Sequence, residues 1–154
     1  MTARYVALAF LAGALALDQA TKALVLASLE GNVVELLPIF DLVLVRNDGV
    51  SFGMLSGVVP PWALAALALL IVGMLLAWLW RSQSCLVGAA LGLIVGGALG
   101  NAVDRIRHGA VTDFLDFHAG SYHWPAFNFA DVTIFCGVAL LLAESFIGGR
   151  TPEP

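Results

Sequence analysis

Two short segments of this chain place carboxylates at the edges of hydrophobic runs. The first spans residues 100–114 (GNAVDRIRHGAVTDF), and the second spans residues 128–131 (NFAD), at the start of the last apolar run. Ionisable groups at membrane depth are costly and are usually kept for function. Asp113 and Asp131, 18 positions apart, are therefore candidates for a catalytic aspartate pair.

An aspartate pair implies a particular chemistry. Two carboxylates that share one site keep a single proton between them near neutral pH. The ionised member can deprotonate water while the protonated member polarises a peptide carbonyl, without a metal, a cysteine or an activated serine. Spacing alone does not show that the two acids meet. Asp131 as a simple cap of the last helix, and Asp104 with Arg105 as a surface ion pair, remain alternatives.

Composition places this chemistry in a membrane. The 154 residues are 60% hydrophobic and only 12% charged, whereas a soluble domain is about one quarter charged, and the mean hydropathy is +0.94. A spanning helix needs about 20 apolar residues. The sequence predicts one all-α membrane domain, residues 1–154, with helices at about 4–29, 61–80, 85–103 and 129–147.

The first apolar run is predicted to be a retained helix rather than a cleaved signal peptide. Asp18 and Lys22 interrupt it, whereas a secretory signal has an unbroken apolar core. The two residues are four apart, so they share a helix face. They are either a buried pair that locks the first helix to its neighbours or part of a reactive site.

Glycines recur at four-residue intervals in the third helix, at Gly88, Gly92, Gly96 and Gly100. Such glycines let neighbouring backbones approach closely. We therefore expect this helix at the centre of the bundle, where it fixes the position of Asn101.

The connection after the first helix reads as a small sheet. Residues 39–45 are apolar and β-branched, Asn47-Asp48-Gly49 is a turn signal, and residues 50–54 can return as a second strand. We expect a β-cradle at about 33–55 on the outer membrane surface, with its apolar side chains against lipid or a lipid-like ligand. A hairpin that merely caps the bundle is the alternative.

Charge predicts the orientation and excludes some partners. Four helices put both termini on one side. Three arginines lie in the short segments there (Arg4, Arg81 and Arg150), and three lie in the two long connections (Arg46, Arg105 and Arg107). The count ties, so only the density of arginines in the short segments favours a cytoplasmic side for the termini. The net charge of −4 argues against nucleic acid. Asp116, His118 and His123 form no compact ligand pattern, so we expect neither a metal nor a cofactor.

Four blocks of the sequence resemble the bacterial lipoprotein signal peptidases, also called signal peptidase II. They are DQATK at 18–22, NDGVSFG at 47–53, GNAVDRIRHGAVTDF at 100–114 and FNFAD at 127–131. Length and the four-helix layout agree as well.

The resemblance implies an intramembrane aspartic endopeptidase of the inner membrane, with its active site near the outer leaflet. Such enzymes cleave prolipoproteins N-terminal to a diacylglyceryl-modified cysteine and are inhibited by globomycin. A β-cradle and a periplasmic helix flank the family's site, which suits residues 33–55 and 104–124. By position, Asp113 and Asp131 match the catalytic pair. Substrate-binding or supporting positions are Asp18, Lys22, Asn47, Gly49, Phe52, Asn101, Arg105 and Asn128, and structural positions are Asp104, Gly109 and Ala130.

Several functional questions stay open at this point. Arg105, like Asn47 and Asn128, can donate to substrate carbonyls or orient the carboxylates, or it can hold Asp104. Val50-Ser51 replaces the Ala-Ala common in the family, which bears on ligand fit.

We expect a monomer in membrane lipid, because one chain supplies both aspartates. A proton-coupled transporter and a structural membrane subunit are the competing classes.

Overall fold

The computed structural model describes residues 2–29, 32–49 and 58–148. Within these ranges, four helices are long and apolar enough to cross a membrane. They are α1 Ala3–Ser28, α2 Pro61–Arg81, α3 Cys85–His108 and α4 Phe129–Gly148. The predicted class, a mainly helical membrane protein with four such helices and a small sheet, is confirmed. The third helix continues to His108 instead of ending near Val103.

Helix ends follow local sequence signals. Pro61 opens α2, where a missing N–H leaves no bond unmade. The Ser84 hydroxyl accepts a hydrogen bond from the Val87 N–H at 3.3 Å and so caps α3. Gly109 has a φ of 71° and ends α3 in the left-handed conformation, with its N–H donating to the Arg105 carbonyl at 3.1 Å. This is the structural position that Gly109 occupies.

The third helix lies at the centre of the bundle. In its spanning segment 67% of the residues are buried, against 17–22% in the other three helices. A Cβ at Gly88 or Gly92 would collide with the backbone of α1 at Ala3 or Ala7, and one at Gly97 would collide with α4. The predicted close packing around the glycines of α3 is therefore confirmed.

A four-stranded antiparallel sheet completes the fold. Its strands, in spatial order, are β1 Val34–Leu37, β2 Phe40–Asn47, β3 Val111–Ala119 and β4 Tyr122–His123. The β2 strand covers the segment predicted at 39–45 and pairs with β1 on one side and β3 on the other. The return strand predicted at 50–54, and with it part of the cradle expected at 33–55, lies outside the described residues.

The prediction of a separate helix within residues 104–124 is wrong. The last turn of α3 occupies the start of this segment, and β3 and β4 occupy most of the remainder. The β3 sequence, VTDFLDFHA, is rich in β-branched and aromatic residues that suit a pleated, half-buried surface. It pairs antiparallel with β2, and the register sets Asn47 opposite Val111.

A small apolar core joins the sheet to the helices. Val25 and Leu29, at the end of α1, pack with the buried Phe114 of β3. The Phe114 ring lies 6.0 Å from that of Phe129 at the start of α4. This cluster fixes β3 against the ends of two helices.

At the side of the bundle away from the sheet, the start of α1 contacts the end of α2. The Arg4 guanidinium lies 4.1 Å from the centre of a Trp80 ring, and Arg4 Nη2 donates to the Trp80 carbonyl at 3.1 Å. The start of α1 and the end of α2 therefore lie on the same side of the bundle.

Candidate active site

The two candidate aspartates line one cavity. Asp113 lies in β3 and is almost fully buried, and Asp131 is the third residue of α4. The cavity has a volume of about 510 Å³. Its polar wall also holds Asn47, Asn101 and Arg105.

Asn128 connects the two acids. Its side-chain Nδ2 donates to Asp113 Oδ1 at 2.6 Å, and its backbone N–H donates to Asp131 Oδ2 at 3.1 Å. Asn128 Oδ1 in turn accepts from the Asp131 N–H at 3.1 Å, which is a reciprocal cap of α4. Asp131 thus caps its helix, as one alternative held, and also faces the cavity.

Two further amides hold the remaining carboxylate oxygens. Asn47 Nδ2 donates to Asp113 Oδ2 at 2.9 Å, and Asn101 Nδ2 donates to Asp131 Oδ1 at 3.0 Å. Every oxygen of the two carboxylates therefore accepts a hydrogen bond from an amide. The donors come from β2, α3 and the start of α4.

The acidity of Asp113 is shifted toward neutrality. Burial raises the pKa of Asp113 to about 6, and the negative charge of Asp131 acts in the same direction. Hydrogen bonds from Asn47 and Asn128, and the positive charge of Lys22, limit the rise. Near neutral pH this carboxyl can exchange a proton.

Lys22 lies at the centre of a buried polar cluster behind the cavity. Its Nζ contacts Asp18 Oδ2 at 2.9 Å and Asp104 Oδ2 at 3.2 Å, with all three side chains at most 3% exposed. Nζ also donates to Asn101 Oδ1 at 2.9 Å. Asp18 and Lys22 are thus a buried pair between helices, in contact with a residue of the cavity.

Asp18 and Asp104 extend this cluster to the backbone. Asp18 Oδ1 accepts from the Ala130 N–H at 3.0 Å, in the first turn of α4. Asp104 Oδ2 accepts from the Thr112 N–H at 2.9 Å, beside Asp113 in β3. Both backbone positions next to the candidate aspartates are therefore held by the cluster.

Asp104 does not form a surface ion pair with Arg105, so that alternative is wrong. Asp104 is buried against Lys22, because an ammonium inside the bundle requires carboxylates. Arg105 instead donates from Nη2 to the Gly49 carbonyl at 2.7 Å. The Gly49 N–H in turn donates to Asn47 Oδ1 at 3.1 Å, so Arg105 holds the end of β2.

The other wall of the cavity is apolar. It is formed by the segment before α4 and by one face of that helix, with side chains of Trp124, Phe127, Ile134, Phe135 and Val138. Polar groups that could act on a peptide bond thus lie opposite a surface that suits hydrocarbon.

Comparison with known proteins places the chain in a family. A family model described as Signal peptidase (SPase) II matches residues 10–147. The chain belongs to the signal peptidase II family. The resemblance seen in the four sequence blocks is confirmed, and the chain is a protease and a multi-pass protein of the bacterial inner membrane.

Relatives named lipoprotein signal peptidase extend over nearly all of the chain. The protein from Azoarcus sp. is 49% identical over 148 residues, covering 92% of this chain and 84% of that protein. The protein from Rhodopseudomonas palustris is 47% identical over 154 residues, covering 93% and 94%.

Two solved structures share the fold of this signal peptidase II family member. Both are bacterial membrane enzymes determined by the in meso method. One has a TM-score of 0.82 and 26% identity, covering 96% of this chain and 93% of its own. The other has a TM-score of 0.78 and 28% identity, covering 89% and 90%.

Two of the remaining predicted positions of this signal peptidase II member contact residues described above through their backbone. The Ala130 N–H donates to Asp18 Oδ1, and the Gly49 carbonyl accepts from Arg105 Nη2. Phe52 lies outside the described residues. Sequence reasoning missed the cavity wall on α4, although Ile134, Phe135 and Val138 follow Asp131 at helical spacing.

Two histidines of this family member, His118 and His123, pair with aspartates on the sheet. His118 Nε2 lies 3.2 Å from Asp41 Oδ2, and His123 Nδ1 lies 2.7 Å from Asp116 Oδ2. The His118 side chain is only 17% exposed, whereas that of His123 is 53% exposed. Among the described residues no group of three or more His, Cys, Asp or Glu side chains could hold a metal ion.

Proposed function

We propose that this chain is an intramembrane aspartic endopeptidase that removes the signal peptide of bacterial prolipoproteins. It would cleave N-terminal to the diacylglyceryl-modified cysteine, with Asp113 and Asp131 as the catalytic pair. The observation that supports this most strongly is the hydrogen bonding of the two carboxylates. Both face one cavity, and Asn128 donates to each of them.

The chemistry follows from one proton shared by two acids. The ionised aspartate takes a proton from water as the water oxygen bonds to the scissile carbonyl carbon. The protonated aspartate gives its proton to the carbonyl oxygen, which forms a neutral tetrahedral intermediate. As the C–N bond breaks, the aspartate that took the proton from water gives it to the leaving nitrogen of the cysteine. The other aspartate regains its proton from one hydroxyl of the intermediate, which leaves a carboxyl product and restores the single shared proton. A pKa of about 6 for Asp113 suits a group that must both hold and release a proton near neutrality.

The supporting residues take different parts in this proposal. Asn47, Asn101 and Asn128 orient the carboxylates, since each donates to one of them. Arg105 and Gly49 hold the end of β2 beside the cavity, where a substrate backbone would run. Asp18, Lys22 and the structural Asp104 support the site from behind, and Phe52 is proposed as a further substrate contact.

The substrate class follows from the two walls of the cavity. A diacylglyceryl-modified cysteine carries two acyl chains that must stay in lipid while its peptide bond reaches polar groups. The apolar wall on α4 is continuous with the exposed, lipid-facing side of that helix at Phe135 and Val138. We propose that the enzyme works as a monomer in lipid with cytoplasmic termini and an outer-leaflet site, needs no cofactor, and binds globomycin at this cavity.

The substrate preference can be tested with two forms of one prolipoprotein. Purified protein in lipid should cleave the diacylglyceryl-modified form and leave the unmodified form intact, and the products should show by mass a cut directly before the modified cysteine. Equal cleavage of both forms would contradict the proposed role of the acyl chains. Proton-driven solute transport without cleavage would favour the transporter class.

A further inference from the structure

The Lys22 ammonium uses its three N–H groups on three different side chains. Two contacts go to the carboxylates of Asp18 and Asp104, and the third goes to Asn101 Oδ1. The third partner carries no charge, so ion pairing does not explain it. It connects the buried cluster to the catalytic cavity.

Asn101 is an amide that could present either end to Asp131. In the structure Oδ1 accepts from Lys22 Nζ at 2.9 Å and, at the longer distance of 3.3 Å, from Asn128 Nδ2, whereas Nδ2 donates to Asp131 Oδ1. The reversed amide would place an oxygen against the Asp131 carboxylate and an NH₂ group against the ammonium. Both contacts would be repulsive, because a carboxylate only accepts and an ammonium only donates.

Lys22 itself cannot reach the substrate, since it is buried behind Asn101 and does not line the cavity. We infer that Lys22 is a positioning residue, which acts through Asn101 by holding the amide in the orientation that donates to Asp131. This inference rests on the proposed function, because it assigns a role within that same site.

Charge balance is the competing explanation for Lys22. By formal charge, the cluster of Lys22, Asp18 and Asp104 carries one net negative charge. Besides this cluster, the carboxylates of Asp113 and Asp131 act on each other, and the Arg105 guanidinium on α3 acts on both. Lys22→Met alone would add a second net negative charge behind the site. Lys22→Met combined with Asp104→Asn keeps the net charge of the cluster and removes the Lys22 donor, while the amide oxygen of the asparagine can still accept from the Thr112 N–H.

A double-mutant cycle separates positioning from charge. The charge-preserving pair of changes is made in the parent and in Asn101→Ala, and cleavage is followed in lipid, over hours for slow variants. When the two changes are made in the parent, kcat should fall about 10- to 100-fold and KM should stay within about twofold of the parent value, because the catalytic geometry is lost and binding is kept. In Asn101→Ala the same changes should lower kcat by less than about twofold. An unchanged kcat in the parent, or equal falls in both proteins, would overturn the inference.

A matched variant keeps the test decisive if the protein with Lys22→Met and Asp104→Asn does not fold. Lys22→Gln with Asp104→Asn has the same cluster charge and a side chain of the same length as Met, but its amide can still donate. It should cleave at least about fivefold faster than Lys22→Met with Asp104→Asn. If that protein does not fold, the comparison is with Asn101→Ala, which the Gln variant should exceed by the same factor. An equally slow Gln protein would overturn the inference. Arg4→Gln, which removes a positive charge at the far end of α1, is the control and should keep the parent kcat.

This inference and the proposed function fail in different ways. If the parent protein does not cleave a modified prolipoprotein, the function and the inference fall together. If the parent cleaves and the cycle is additive, only the role of Lys22 is wrong.

Discussion

At the scale of residues, the site is an arrangement of amides around two acids. Each carboxylate oxygen of Asp113 and Asp131 accepts an amide hydrogen bond, which fixes both groups while leaving them open to the cavity. These donors stabilise the ionised forms, whereas burial and mutual repulsion oppose ionisation. The balance places the pKa of Asp113 at about 6.

The raised pKa of Asp113 predicts how stability depends on pH. Above about pH 4 this carboxyl is ionised in the unfolded chain but stays protonated in the fold until about pH 6. The folded parent should therefore lose about 3 kcal/mol of stability as pH rises from about 4 through about 6. Asp113→Asn cannot titrate and should not show this loss. Thermal unfolding in detergent from pH 4 to 8 measures the difference.

The control for that experiment is Glu35→Gln, on the exposed strand β1, which should follow the parent across the pH range. Parallel curves for the parent and Asp113→Asn would contradict the raised pKa of Asp113.

Residue types and spacing made Asp113 and Asp131 candidates, because ionisable groups at membrane depth are costly, and the family resemblance then matched them to a catalytic pair. Their partners were harder to assign. Asn47 and Asn101 come from segments far apart in sequence, and only the tertiary fold shows which carboxylate each one holds. Arg105 is an example. Its neighbour in sequence, Asp104, was a candidate partner, but in the structure Arg105 donates to the Gly49 carbonyl.

At the scale of elements, α3 positions the site by packing closely against its neighbours. Its glycines set the distance to α1, so the Asp18 carboxylate can lie directly against Gly100. The periodicity of these glycines was readable from sequence. The pairing of β3 with β2 was not, because strand partners distant in sequence depend on the sheet that the whole chain builds.

Two Gly→Ala changes should have opposite effects on stability. A Cβ at Gly92 would press on the Ala7 carbonyl and on Phe10, so Gly92→Ala should lower stability by about 1–3 kcal/mol. A Cβ at Gly13 has nothing within 4 Å, and Gly13→Ala should stabilise α1 by up to about 1 kcal/mol. Thermal unfolding of both variants in detergent gives the comparison. A Gly92→Ala protein as stable as the parent would show that α1 and α3 do not pack this closely.

At the scale of the whole molecule, the fold separates a membrane anchor from a reactive end. Arg4 and Trp80 tie the helix ends on one side, while the sheet and the cavity lie at the other ends of these helices. Hydropathy predicted the four helices because lipid demands apolar length. It carries no information on the cavity, which forms where the sheet, the end of α3 and the start of α4 meet.

The predicted orientation can be measured with reporter fusions. A fluorescent protein at the C-terminus should fold and fluoresce, because that end is expected in the cytoplasm. Alkaline phosphatase fused after residue 120, between β3 and β4, should be active, because that segment is expected outside. The reverse pattern would place the site at the inner leaflet and contradict the proposed access of the substrate from the outer leaflet.

The measurement that tests the central claim most directly is cleavage of a diacylglyceryl-modified prolipoprotein by the purified protein in lipid, beside Asp113→Asn and Asp131→Asn. Asparagine keeps the shape of aspartate but cannot exchange the proton. Cleavage by the parent and a loss of at least about 1,000-fold in each variant, in proteins that still fold, are the predicted results. Cleavage that persists in either variant would contradict the aspartate pair.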